Sequence, residues 1–206
     1  MQFINFPLIN FPPEDKHVLS RLGYHKKTQV TESDMADIKQ NIKKAAEICF
    51  SKARACIFSI ESKDEKSVTL DTGLCLKSEK LARLLKNSDE VLLMASTLGN
   101  NVSKRIETEL KDGDKVFSII LDAYASQCVD HSLDYIMQSQ TSCLLRQGKV
   151  LTKHRFSAGY GRLDIAYQKD FYDLLSLQEL NIQLTKSTML LPEKSVIAIA
   201  GIIKTK

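Results

Sequence analysis

Between residues 114 and 136 the sequence holds the longest helical pattern in the chain, and everything else has to be arranged around it. Val116, Ile119, Ile120, Ala123, Val129, Leu133 and Ile136 recur at three- and four-residue spacings and supply most of an apolar stripe. Asp114 stands where an N-cap is needed, and Gly113 closes the helix before it. The opposite face carries Asp122, Asp130, His131 and Asp134. The polar stretch 139–148 reads as a connection.

The remaining segments supply strands and shorter helices in no regular alternation. Residues 1–10 read as an entry strand, followed by a short helix that Pro12, Pro13, Glu14 and Asp15 favour at its start and Gly23 at its end. Ser33 precedes an amphipathic run through Met35, Ile38, Ile42, Ala45, Ala46 and Cys49. Residues 55–60 and 68–70, split by the charged stretch 61–66, predict an antiparallel strand pair. Residues 76–85 have helical spacing, 90–96 read as a buried strand, and 97–100 as a turn into a helix over 102–110. After a Gly159-Tyr160-Gly161 turn, Phe171, Leu174 and Leu175 mark a further helix, and 184–203 read as two strands around Pro192 and Glu193. With no internal repeat and no flexible linker, the pattern predicts one α+β domain over 1–206, a mixed or antiparallel twisted sheet with flanking helices.

Composition narrows the function classes. The charge is +4, from 29 Lys and Arg against 25 Asp and Glu, too balanced for a chain built to neutralise a phosphate backbone. Aromatics make up 7% and are scattered, so no base-stacking platform is visible. No run reaches the roughly 18 apolar residues of a membrane helix, and residues 1–10 lack the basic start of a signal peptide. Five cysteines without a Cys-x-x-Cys pair fit neither a disulfide framework nor a zinc ribbon, and read as core residues of a cytoplasmic protein. The expectation is no nucleic acid and no membrane.

Familiar catalytic motifs are missing. Gly159-Tyr160-Gly161 begins a dinucleotide fingerprint, but Asp164 takes the third glycine position. There is no phosphate loop, no His-Glu-x-x-His helix and no Gly-x-Ser-x-Gly elbow. His17, His25, His131 and His154 are dispersed and read as solvated or capping residues. Asp15-x-His17-x-x-Ser20 approaches a cobalamin-ligand pattern, but the histidine falls in a helix and the final glycine is Ser20. No catalytic residue and no metal ligand is assigned. Two places stay open. Asp122 and Asp130, eight residues apart on nearly one helix face, are either a solvated stripe or part of a site. The segment Arg155-Phe156-Ser157-Ala158-Gly159-Tyr160-Gly161 is either a plain turn or a loop offering a guanidinium fork to a carboxylate, its glycines letting backbone approach a ligand.

From that loop onward the sequence resembles the S-adenosylmethionine-binding activation domain of cobalamin-dependent methionine synthase. The family's Arg-x-x-x-Gly-Tyr segment stands here as Arg155 through Gly159 and Tyr160. Its leucine-rich helix, Leu-Thr-Glu-Ser stretch and Pro-x-x-Ser-Val strand look like Asp173-Leu174-Leu175, Leu184-Thr185-Lys186-Ser187 and Pro192-Glu193-Lys194-Ser195-Val196. The long helix matches too, its ligand-contacting glutamate falling on Asp130, with Tyr135 also matching. Residues 113–206 carry these motifs; residues 1–112 match weakly, through Ser96-Thr97-Leu98-Gly99. Where the family has a second acidic residue, six positions before the arginine, this chain has Lys149.

The resemblance implies a stand-alone reactivation domain whose cofactor-binding residues are Asp130, Arg155, Ser157, Gly159 and Tyr160. Arg155 would pair with the ligand carboxylate, Asp130 would face its ammonium or sulfonium side, and Ser157, Gly159 and Tyr160 would shape the adenosine pocket. The implied cofactors are S-adenosylmethionine and a cobalamin carried by the partner. The implied partners are a cobalamin-binding methionine synthase lacking its own activation domain and a flavodoxin-like electron donor. Other readings are an activator of another corrinoid methyltransferase, or a non-enzymatic interaction module that has lost the ligand.

Overall fold

The computed structural model of the chain describes residues 2–25 and 28–205. In order these form β1 (Ile4–Ile9), α1 (Asp15–Arg21), α2 (Glu32–Ala46), β2 (Ser51–Lys63), β3 (Ser67–Leu70), β4 (Cys75–Lys77), α3 (Glu79–Leu84) and β5 (Glu90–Thr97). Then come α4 (Asn100–Asp112), α5 (Lys115–Arg146), β6 (Lys149–Phe156), α6 (Tyr167–Leu174), a 3-10 turn (Leu177–Leu180), β7 (Gln183–Leu184), β8 (Leu190–Leu191) and β9 (Ser195–Lys204).

The 13-residue β2 organises the main sheet. One edge pairs with β5; the other is shared by β1 and, further along, β3. The strand order β4-β3-β2-β5-β9-β6 is antiparallel at every pairing. β5 is central and apolar on both faces, as a strand covered on both sides must be. Val91, Leu93 and Ala95 point into a cluster with Leu81 and Leu85 around α3, Phe171 of α6 and Leu177. Leu92 and Met94 meet Leu133, Ile136 and Leu144 of α5 on the other face. The part of α5 nearer its N-terminus instead packs Phe117, Leu121, Tyr124 and Cys128 against α1, α2 and α4.

Several expectations hold: β1, the helix ending before Gly23, the β2–β3 hairpin, β5, and Asp114 as N-cap of α5, accepting from the amides of Val116 and Phe117. Others are corrected. Residues 139–146 of the 139–148 stretch are the last turns of α5, because Leu144 is drawn into the core under the sheet, and only 147–148 connect to β6. Val116 and Ile119 leave the expected stripe and are 61% and 58% exposed, since the helix turns Phe117, Ile120 and Leu121 inward there instead. Residues 76–85 divide into β4 and α3, with Ser78 capping α3 through the Leu81 amide. α2 is capped by Thr31, two residues before Ser33, through the Asp34 amide. Cys49, Cys56 and Cys128 are core residues, but Cys143 is exposed. Burial pushes the thiols of Cys49 and Cys128 up to about 12 and about 11, so both stay protonated and inert. Among the described residues no helix is long and apolar enough to cross a membrane.

One buried cation ties the far face together. Arg54 is 6% exposed; its Nε donates to Asn5 Oδ1 (2.8 Å), Nη1 to the carbonyls of Leu175 and Ser176 (both 3.2 Å) and Nη2 to Glu179 (2.6 Å). Its guanidinium also lies 4.6 Å from the Phe3 ring centre. Arg54→Met would leave the Asn5 amide oxygen, two backbone carbonyls and a carboxylate without their donor. It should lower unfolding free energy by about 2–4 kcal/mol, read as an earlier urea midpoint at unchanged slope. The hydrogen bond and charge of Arg54 hold the Glu179 carboxyl below its ordinary 4.5. A depressed pKa gives stability that is present above 4.5 and lost as pH falls through the lowered value. Glu179→Gln should therefore flatten the acid limb of the stability profile below pH 4.5, in urea titrations run from pH 6 down to about pH 3.

Candidate functional site

β6 and α5 bring two of the five expected residues into contact. Opposite β9, three β6 residues, 152–154, stand against the single Gly201, so the strand bulges before Arg155. The bulge is filled by Thr152, whose Oγ1 accepts the Gly201 amide (2.9 Å) and donates to the His154 carbonyl (2.9 Å). Arg155 then pairs with Ala200, on the face that α5 covers, while Phe156 pairs with Ile199 on the opposite face.

Seated there, Arg155 reaches Asp130 Oδ2 at 2.8 Å and the Asp130 carbonyl at 3.2 Å, and donates through Nη1 to Asp134 Oδ1. Asp130 and Asp134 are one turn apart on α5 and face the same fork. Burial alone would ease a proton off Arg155, but the hydrogen bonds and charges of Asp130 and Asp134 outweigh it and raise its pKa, so the cation is permanent. Two carboxylates on one guanidinium leave the cluster with one net negative charge. The cluster offers the two groups a zwitterion can use: a guanidinium that donates to a carboxylate, and carboxylates that accept from an ammonium. The contacts with the aspartates engage Nη1 once and Nη2 twice.

Ser157, Gly159 and Tyr160 follow in a loop folded on itself. Gly159 donates to the Leu163 carbonyl (2.8 Å), Leu163 to that of Tyr160 (2.8 Å) and Tyr160 to that of Ser157 (3.3 Å). The Gly159 amide therefore serves the loop. Gly159 and Gly161 sit at φ +87° and +51°, and a Cβ on Gly161 would come within 2.5 Å of Phe156 Cζ and 2.8 Å of Lys80 Cδ. Ser78 Oγ pins the loop from α3 by donating to the Gly161 carbonyl (3.0 Å). Tyr160 projects outward, 71% exposed, and Ser157 is half-buried.

The sequence reading missed Asp134 as a site residue, although its spacing of four from Asp130 was the available signal. It also missed the aromatic stripe alongside: Phe11 stacks on His131 (4.9 Å, 17°) and tilts against Tyr135 (5.4 Å), whose ring meets Phe6 edge-on (6.1 Å). His131 is thus packed against a ring rather than solvated, and lies 6.3 Å from His17, which does fall in α1. Lys149 is outside the cluster: it pairs with Glu90 at 2.7 Å, and four β9 residues, about 13 Å, separate its register position from that of Arg155. Asp122 belongs to neither open reading. It holds the buried Lys194 (2.6 Å), which also donates to Ser126 (2.9 Å) and so locks α5 to the start of β9. Clefts of about 740 and 610 Å³ elsewhere on the surface include none of the five expected residues. No group of three or more potential metal ligands occurs among the described residues.

Gly201 leaves no room for a side chain: a Cβ would meet Ser88 Oγ and lie 2.8 Å from Leu85 Cδ2 and 2.9 Å from Thr152 Cγ2. Gly201→Ala should cost about 1–3 kcal/mol and release the Thr152 bond that shapes the bulge. Thermal unfolding and the shift of the Arg155 Nε resonance in nitrogen NMR spectra check both effects.

No protein-family model matches this chain, and no curated protein aligns with it significantly. Among solved structures it is similar to a crystal structure of the MetH reactivation domain bound to AdoHcy, with a TM-score of 0.68 and 12% identity over 97% of this chain and 77% of that one. The fold is therefore that of the MetH reactivation domain, an α+β domain with an antiparallel sheet and flanking helices.

Proposed function

We propose that the chain binds S-adenosylmethionine and acts as a stand-alone reactivation domain, supporting reductive methylation of cob(II)alamin held by a separate cobalamin-dependent methionine synthase. The observation that carries this reading is the meeting of Arg155 and Asp130 across α5 and β6 in a fold whose similar structure binds AdoHcy. In this reading a flavodoxin-like donor supplies the electron, the ligand supplies the methyl group, and the partner's corrin receives it.

The chain's own part is positioning, which suits a fixed guanidinium held between two carboxylates. Arg155 takes the ligand carboxylate and Asp130 its ammonium, while Ser157, Gly159 and the exposed Tyr160 border the adenosine side. Asp134 keeps the guanidinium aimed along α5 before the ligand arrives, which lowers the ordering cost of binding. A second reading, an interaction module without ligand, draws on the Gly159 amide already satisfied inside its loop and on Lys149 already paired with Glu90.

Calorimetric titration separates the two. S-adenosylmethionine should bind the wild type, and Arg155→Ala should weaken binding roughly tenfold to a hundredfold, the loss of one charge-assisted pair of about 1.5–3 kcal/mol. No heat with the wild type would favour the module reading; equal affinity in the variant would remove Arg155 from the site. Adding the protein, S-adenosylmethionine and a reductant to a cob(II)alamin-loaded synthase should shift the corrin absorbance to that of methylcobalamin, and an unchanged spectrum would sink the reactivation role.

A further inference from the structure

Where the tip of the β2–β3 hairpin meets α3, Lys63, Lys66, Arg83 and Lys86 surround a cleft of about 740 Å³, together with Ala82 and the acids Asp64, Glu65 and Glu79. Among the described residues, no carboxylate lies within ion-pair distance of any of these four cations. For Asp64 the hydrogen bonds account for it. Asp64 is committed to its own turn, accepting from the amides of Lys66 (2.7 Å) and Ser67 (2.8 Å) and from the Ser67 hydroxyl (2.9 Å). Those bonds, with a smaller contribution from the Lys66 charge, hold its carboxyl below the ordinary range. Lys63 donates to the carbonyl of Ser88, a neutral partner that leaves its charge in place. Glu79 and Arg83 are spaced four apart on α3, the arrangement that normally pairs, yet they do not pair here.

We propose that this cleft binds a small, multiply charged anion of the phosphate-ester class, with Arg83 offering its fork and Lys63, Lys66 and Lys86 acting as point charges around it. Four cations, none of them held in an ion pair, against the carboxylates of Asp64, Glu65 and Glu79 leave the cleft one net positive charge, and a ligand carrying at least two negative charges can engage more than one of the free cations at once. The size decides between a small molecule and a polymer: the volume lies in the range of about 300–1,000 Å³ that encloses small ligands, and the basic residues converge on one cleft rather than following a stripe. None of its lining residues belongs to the Arg155 cluster, so the proposal does not rest on the function assigned there.

Inorganic pyrophosphate is the probe, titrated calorimetrically into the full chain near physiological salt. Saturable binding is expected, weakening on the order of tenfold or more in Arg83→Gln/Lys86→Gln and further as salt is raised. The control is Lys153→Gln/Lys169→Gln, which removes two exposed cations elsewhere and should leave binding unchanged. All four positions are exposed, so both variants should unfold at the wild-type urea midpoint. Absence of saturable binding, or equal binding by the Arg83/Lys86 variant, overturns the site. A single-stranded oligonucleotide that binds more tightly than pyrophosphate, through the same residues, overturns the small-molecule class. S-adenosylmethionine affinity measured on the same variant should be unchanged, which keeps a failure here distinct from a failure at Arg155.

Discussion

α5 is longer than the sheet it covers, and most of the architecture answers that mismatch. Its 32 residues span about 48 Å, whereas an eight-residue central strand such as β5 spans about 27 Å. The C-terminal part can therefore bury Leu133, Ile136 and Leu144 on the sheet, but the N-terminal part overhangs and would expose Phe117, Leu121 and Tyr124. α1, α2 and α4 form the second cluster that covers the overhang. Two polar contacts fix where the helix crosses. Ser132 donates to Ser96 at 2.6 Å over β5, and the buried Lys194 reaches Asp122 and Ser126 at the start of β9. Beside them the end of β5 and the start of β9 are joined by the 2.8 Å contact between Thr97 and Ser195.

With the crossing fixed, the candidate site follows. α5 passes edge strand β6 at Asp130 and Asp134, and the bulge opposite Gly201 presents Arg155 on the covered face. The guanidinium is fully charged and already held by carboxylates before any ligand is present. A zwitterionic ligand would exchange partners with this cluster rather than meet a bare ion, so little desolvation remains to be overcome. The 157–163 loop is equally self-contained, leaving the exposed Tyr160 ring as its outward feature.

Much of this was legible in the chain, and the reasons are particular. β5 announced itself because a strand covered on both faces must be apolar without alternation, as residues 91–95 are. Asp114 and Gly113 marked a helix boundary through capping chemistry that acts over a few residues. Asp130 and Arg155 were reached through motif resemblance, and the structure brings them together. What escaped depended on distant partners. Val116 and Ile119 fit a helical stripe perfectly well, but the helices that cover α5 arrive from another angle. Residues 139–148 read as a connection because Leu144 is drawn in only where a sheet lies beneath it. Asp122 looked like part of an acidic stripe because its partner, Lys194, is 72 residues away. Asp134 became a partner of Arg155 only when β6 came alongside.

The sequence by itself determined the class of fold and most of its elements, because periodicity, caps and turn chemistry act within one or two turns of chain, and its resemblance to a known family pointed to Asp130 and Arg155. Only the tertiary structure decided which of those residues meet. The pairing of Arg155 with both Asp130 and Asp134, and the displacement of Lys149 toward Glu90, follow from a strand bulge and a helix crossing set by packing between segments far apart in the chain. That information is held in the shape of the core, where a Cβ at Gly201 has no space, and not in any local run of residues.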